Sequence, residues 1–264
     1  KSKKSVNVVC DGKEILLSPK CVGDEAVMMA EKLKNVPILT GADRFQTGRY
    51  ALKNYEIDTL ILDDGFQHLA LRRDLDILLC DHQRPLGNNY LFPAGELREP
   101  ARETRRADMV CFTRYSGGPI KFSPKYLGSI PQIKTHLRLD SIINMENGDV
   151  CDAEVLKGQP VIAFCGIAKP EGFRQILQDV QVQLKMFKAF PDHHEYSLND
   201  VKELESIASQ EGVKYILVSE KDAVKLKGMK FSLPFFKVVI DLEILEGREI
   251  FNKKITTTTS RRGN

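Results

Sequence analysis

Apolar and polar positions alternate along the chain in two rhythms. Short apolar runs rich in Val, Ile, Leu and Phe stand at 36–39, 59–62, 76–80, 108–112, 161–165, 182–190, 215–218 and 235–240. Each is of strand length and is bounded by polar or turn residues, which predicts buried strands. Helical spacing appears at 26–33, with Ala26, Val27, Met29, Ala30 and Leu33 on one face, then from Arg44 to Asn54, at 170–180 and at 198–210. Asp24 stands just before the first of these helices, where a carboxylate caps free N–H groups. Residues 5–17 read as a hairpin folded about Asp11-Gly12, and 132–150 as two antiparallel strands folded about Asn147-Gly148-Asp149. Strands alternating with helices predict an α/β fold with a parallel sheet and helices on both faces.

Residues 117–125 are rich in Gly, Pro and Ser and mark a boundary. The linear order therefore predicts an N-terminal core at 1–118, a linker with a β-hairpin at 119–160, a smaller C-terminal α/β lobe at 161–255 and a frayed tail at 256–264. A hydrophobic content of 42% and a charged content of 28% describe an ordinary protein with a real core. The net charge of +3 is too small to argue for a nucleic-acid partner. Six cysteines are scattered without a C-x-x-C pair, which predicts reduced core thiols and excludes a disulfide frame or zinc site. No run of about 18 apolar residues exists, so no transmembrane segment is expected in this chain.

The candidate chemistry gathers at 62–99. The run 59–62 stops at Asp63 and Asp64. An acidic pair at the end of a buried parallel strand is a place to hold magnesium, although a solvated acidic turn has the same composition. The loop at 83–95, with Pro85, Gly87, Asn88, Asn89, Pro93 and Gly95, is too long for a simple connection and is a candidate functional loop. Arg98 to Arg106 is basic and expected to be helical after Pro100. His68 and His82 have no His or Cys partner at ligand spacing, so a structural role is expected for both.

Asp63-Asp64-Gly65-Phe66-Gln67-His68, Gly87-Asn88, Pro93-Ala94-Gly95 and Leu97-Arg98-Glu99-Pro100 together resemble the tetraacyldisaccharide 4'-kinase (lipid A 4'-kinase) family. Gly23-Asp24-Glu25, Asp43-Arg44, Phe190-Pro191-Asp192-His193-His194 and Glu220-Lys221-Asp222-Ala223-Val224-Lys225 are similar to it in the same order. The resemblance implies a P-loop NTPase-like kinase at the cytoplasmic face of the bacterial inner membrane. Its substrates would be ATP, with Mg²⁺, and the 4'-hydroxyl of a tetraacylated glucosamine disaccharide 1-phosphate, the lipid A disaccharide precursor. A peripheral monomer on the inner-membrane surface is expected, without nucleic acid. The chain departs from the family in two respects: no G-x-x-x-x-G-K-[ST] loop occurs in it, and the family's N-terminal membrane-associated helix is not found in it either. The chain by itself is therefore expected to be inactive.

By this resemblance Asp63 and Asp64 would bind the metal, Glu99 would complete its shell, and Gln67 and Arg98 would contact the nucleotide. Asp24 would be the catalytic base and His193 its partner. Arg44 would hold substrate phosphate. The catalytic pair would face a cleft between lobes. Lys221 and Asp222 receive no role. Two other readings compete: a non-catalytic fragment or pseudokinase that binds lipid or a partner, and another P-loop-like ATP-dependent ligase or GTPase. The Pro93-Ala94-Gly95 and Leu97-Arg98-Glu99-Pro100 match weighs against the latter.

Overall fold

The computed structural model describes residues 5–122 and 124–260. The basic start at 1–4 and the last four residues of the expected tail lie outside the described residues. The chain divides into two compact units: Lys1–Lys53 with Arg138–Asp241, and Asn54–Leu137 with Leu242–Asn264. These are not the boundaries that the linear order suggests. Two long strands, Gln132–Asn144 and Phe235–Glu246, carry the chain from one unit to the other. The first 53 residues therefore join the later α/β segment instead of a continuous 1–118 core.

In the first unit, the strands Phe235–Glu246, Tyr215–Ser219, Pro160–Cys165 and Gln183–Ala189 stand side by side and all pair in parallel. Pro160–Cys165 is inaccessible almost throughout, which its unbroken Val-Ile-Ala-Phe-Cys run requires of a strand covered on both faces. Ile162, Phe164, Ile216 and Val218 pack with Val201, Leu204 and Ala208 of the helix Leu198–Gln210. That helix begins with a capping box, Ser197 and Asp200 each bonding the other's backbone N–H.

The same unit carries a two-stranded antiparallel sheet, Val6–Asp11 with Pro37–Gly41. The hairpin expected at 5–17 is thus only partly formed. The Asp11 turn closes, with Asp11 Oδ1 accepting from the N–H groups of Lys13 and Glu14, but beyond it only a single bridge joins Cys10 to Ile15. The 37–41 run takes the partner's place. Behind this sheet the helix Asp24–Lys32 buries Ala26, Val27 and Ala30 against Val9, Cys10 and Val224.

The second unit is built on Ile77–Asp81, Met109–Thr113 and the start of Gln132–Asn144, again parallel. Along Met109–Thr113, Val110 and Phe112 enter one cluster with Cys80 and Phe122, while Met109 and Cys111 enter another with Ile133. Both faces of that strand are therefore covered.

Two further expectations are corrected, at 59–62 and at the tail, and one element is added after Ser219. Residues 59–62 form no strand: Ile61 is 93% exposed, because no ladder partner lies beside this apolar run. The segment after Ser219 is a helix, Glu220–Leu226, capped by the Ser219 hydroxyl, which accepts from the Asp222 N–H. Residues 256–260 are not frayed but end the helix Arg248–Ser260.

Candidate active site

Gly23 stands before the helix Asp24–Lys32 with φ of 97°, a conformation that side chains with a Cβ avoid. The cap position therefore belongs to Gly23, and Asp24 is the first helical residue, not the cap expected from sequence. Its carboxylate is free for other partners and is buried, with the residue 6% exposed. His193 Nδ1 lies 3.1 Å from Asp24 Oδ1 and 3.2 Å from Oδ2. Lys225 Nζ lies 3.1 Å from Oδ2. Burial pushes the Asp24 carboxyl up, but its own backbone N–H, Lys225 and His193 outweigh it and hold the group below the usual carboxylate range.

Asp24 and His193 are 169 residues apart in sequence yet lie in the same unit. Their pairing needs no cleft between lobes. His193 has a left-handed backbone, φ 60°, and its N–H donates to the Gly166 carbonyl at 3.2 Å. A strained non-glycine residue of this kind persists only where its surroundings fix it. The neighbouring His194 is otherwise engaged: its ring stacks on Phe190 and its Nε2 meets Asp200 at 3.3 Å.

Sequence reasoning missed Lys225 as a functional residue. Asp222, fully buried, accepts from the Lys225 ammonium at 3.0 Å, from the Ser219 hydroxyl at 2.6 Å and from the Gly166 N–H at 2.7 Å. Lys221 Nζ lies 3.2 Å from Asp192 and 3.4 Å from Glu25, the chain neighbours of His193 and Asp24. The available signal was Ser219-x-x-Asp222, a capping pattern that predicts a helix and places Asp222 and Lys225 on one face. Arg44 opens the helix Arg44–Asn54 and donates to the Gly41 carbonyl at 3.2 Å, not to the Asp24 cluster.

The second unit holds the remaining candidates. Asp63 and Asp64 form an exposed turn, and Gln67 a half-buried one, with no strand leading into them. Asp64 Oδ2 accepts from Arg98 Nη1 at 2.6 Å. Glu99 Oε2 accepts from Arg106 Nη2 at 2.6 Å, and the Arg106 guanidinium lies over the Phe66 ring at 4.6 Å. The expected metal set of Asp63, Asp64 and Glu99 is therefore not assembled. Two of its three carboxylates are neutralised by arginines, and among the described residues no three acidic, His or Cys side chains converge where a metal could sit. These residues do not fit magnesium as they stand. Gly95 packs so closely on Asn88 Oδ1 and the Tyr90 carbonyl that a Cβ would collide with both, which explains glycine in the Pro93-Ala94-Gly95 turn.

Fold and site define an α/β protein in which a buried carboxylate, Asp24, meets the ring of an exposed histidine, His193. The chain belongs to the tetraacyldisaccharide-1-P 4'-kinase family, whose model matches residues 1–259. It is similar to the tetraacyldisaccharide 4'-kinase of Syntrophus aciditrophicus, at 39% identity over 92% of this chain and 69% of that protein. The corresponding protein of Geobacter sulfurreducens is 38% identical over 90% of this chain and 67% of its own length. The chain thus spans about two thirds of these relatives. A crystal structure of LpxK from Aquifex aeolicus in complex with ATP superposes with a TM-score of 0.78 at 31% identity, covering 98% of this chain and 76% of that one. The α/β class expected from the strand and helix pattern is the fold observed. Among the described residues no helix is long and apolar enough to cross a membrane.

Proposed function

We propose that this chain supplies the acceptor side of a phosphoryl transfer from ATP to the 4'-hydroxyl of a tetraacylated glucosamine disaccharide 1-phosphate. The observation that carries this reading is the buried Asp24 carboxylate held between Lys225 and His193. A sugar hydroxyl presented to the pair donates a hydrogen bond to Asp24. A carboxylate held below its usual range cannot remove an alcohol proton early. It does not need to: the transition state of phosphoryl transfer is loose, so the proton leaves as the new O–P bond forms. Until then Asp24 orients the attacking oxygen. The proton then rests on the Asp24–His193 pair, whose second ring nitrogen, Nε2, lies 3.7 Å from Asp192 Oδ2.

Gln67 and Arg98 are the residues assigned to nucleotide contacts and Arg44 to substrate phosphate. No role for Mg²⁺ is assigned to Asp63, Asp64 and Glu99 in their present arrangement. The acylated substrate would bring the protein, as a peripheral monomer, to the cytoplasmic face of the inner membrane.

The test is a transfer assay with radiolabelled ATP and the tetraacyldisaccharide 1-phosphate, run on this chain and on the product of its whole open reading frame. The chain by itself should form no product, since it holds no G-x-x-x-x-G-K-[ST] loop to cradle the phosphates. The whole product should transfer phosphate, and Asp24→Ala should lower its turnover by about 10²-fold or more with ATP affinity kept. Unchanged turnover in that variant overturns the role of Asp24. No transfer by the whole product favours lipid or partner binding without catalysis.

A further inference from the structure

We propose that Asp222 is the positioning residue that holds Asp24 and His193 in register, through two arms that leave its one carboxylate in different directions. This rests on the catalytic reading of the pair given above. The first arm runs through a cation. Asp222 Oδ1 accepts from Lys225 Nζ at 3.0 Å, and the same ammonium stands 3.1 Å from Asp24 Oδ2. The Lys225 side chain is only 11% exposed and lies 6.0 Å from the centre of the Tyr196 ring, so it has little freedom to turn elsewhere. The second arm runs through the backbone. Asp222 Oδ2 accepts from the Gly166 N–H at 2.7 Å, and the Gly166 carbonyl accepts from the N–H of His193 at 3.2 Å. One buried group therefore sets the side chain of one partner and the strained backbone of the other.

The anchor itself is fixed. Asp222 is fully buried, and the Ser219 hydroxyl donates to its Oδ2 at 2.6 Å. A buried carboxylate is tolerated only when it is paired and hydrogen-bonded in this way. Lys221, on the same helix Glu220–Leu226, adds a third tie: its ammonium joins Glu25 to Asp192, the residues next to Asp24 and His193. A helix needed only for packing would have no reason to place two ammonium groups between the same two segments. Gly166 is constrained by the same arrangement. A Cβ there would stand 3.0 Å from the Pro191 carbonyl and 3.2 Å from Asp222 Oδ1, so any larger residue pushes on the histidine loop and its anchor together.

The experiment uses the present chain for a structural readout and the whole open-reading-frame product for kinetics. In the chain, the imidazole Nδ1 proton of His193, followed by NMR, should give one resonance shifted downfield by its bond to Asp24. Asp222→Asn, Lys225→Met and Gly166→Ala should each lose or broaden it, and Lys225→Arg should restore it. In the whole product, Asp222→Asn should lower kcat by roughly tenfold or more with the KM for ATP unchanged. Should Asp222→Asn fail to fold, Lys225→Met and Gly166→Ala test the two arms separately. A wild-type His193 signal in both of those variants overturns the inference. The catalytic reading fails separately, if Asp24→Ala keeps full turnover whatever happens to the His193 signal.

Discussion

Lys225 and Asp24 form an ion pair with both side chains nearly out of water, at 11% and 9% exposure and 3.1 Å apart. Neither charge is left to solvent, and the ammonium is shared with a second, fully buried carboxylate, Asp222. Such an arrangement contributes little net stability compared with apolar residues of the same size, but breaking it is costly. Here it leaves the Asp24 carboxylate against the His193 ring, 3.1 Å from Nδ1.

Removing the ammonium exposes that cost. Lys225→Met leaves the Asp24 and Asp222 carboxylates buried without their shared cation, and should lower stability by about 3–5 kcal/mol. Adding Asp24→Asn to Lys225→Met should return part of the loss, because only one uncompensated carboxylate then remains. Denaturant melts of the two single variants and the double variant give the coupling directly. Additive single effects would show that Lys225 and Asp24 do not interact.

Much of the fold was legible because its strands are unbroken apolar runs. Pro160–Cys165 and Tyr215–Ser219 could be read at once, since a strand covered on both faces has no polar alternation to obscure it. The same rule misread 59–62. Leu-Ile-Leu has strand composition, but composition says nothing about whether a partner strand lies alongside. Asp24 and His193 were legible only through resemblance, because no periodicity links residues 169 positions apart. Lys225 was passed over for a different reason. Its segment lies just past the strand expected at 215–218 and was given no element, although Ser219-x-x-Asp222 marks a helix start.

Acid should weaken the first unit before it weakens neutral contacts. Burial pushes Asp24 and Asp200 up, but hydrogen bonds and nearby cations hold both carboxyls below the ordinary range. Asp192 is held down in the same way, chiefly by Lys221. A carboxyl lowered by folding contributes stability above its unfolded value, and that contribution is lost as the pH falls through the folded value. Lys221 has the opposite sign. Burial pulls it down but Asp192 outweighs this and holds it above the usual lysine range, so its contribution is present below about pH 10 and lost above it. Melting temperature against pH should therefore be flat from about pH 5 to pH 10 and fall on both sides. Asp24→Asn should make the acid limb shallower. An acid limb unchanged by Asp24→Asn would remove Asp24 from the list of groups that titrate with folding.

The six cysteines are all free, but they should not react alike. Burial, aided by the neighbouring Asp222 carboxylate, pushes the Cys165 thiol up to about 12. Cys80 is likewise pushed up to about 12 by burial, with Cys111 and Asp81 adding to it. The thiolate is the reactive form, so both should resist alkylation at pH 8 while the protein is folded. Cys21 is exposed and should be modified first. Timed iodoacetamide labelling with peptide mass spectrometry reads the order. Labelling of Cys165 as fast as Cys21 under native conditions would mean that the sheet opens locally around Pro160–Cys165.

Two neighbouring arginines of the second unit should respond in opposite ways to truncation. Arg98 and Asp64 face solvent, with side chains 64% and 61% exposed, and exposed pairs contribute little to folding. Arg98→Ala should change stability by no more than about 0.5 kcal/mol. Arg106 is more enclosed. It bonds Glu99 at 2.6 Å, reaches the Phe66 carbonyl at 3.3 Å and stacks over the Phe66 ring. Arg106→Ala removes all three contacts and leaves Glu99, a side chain 20% exposed, without its guanidinium. It should cost about 1–3 kcal/mol. If Arg98 binds nucleotide in the whole open-reading-frame product, Arg98→Ala should raise the KM for ATP at nearly constant melting temperature. Arg106→Ala should lower the melting temperature of the same product. Equal loss of stability in the two variants would show that the exposed Arg98–Asp64 pair supports the turn it closes, and would leave Arg98 without a separate nucleotide role.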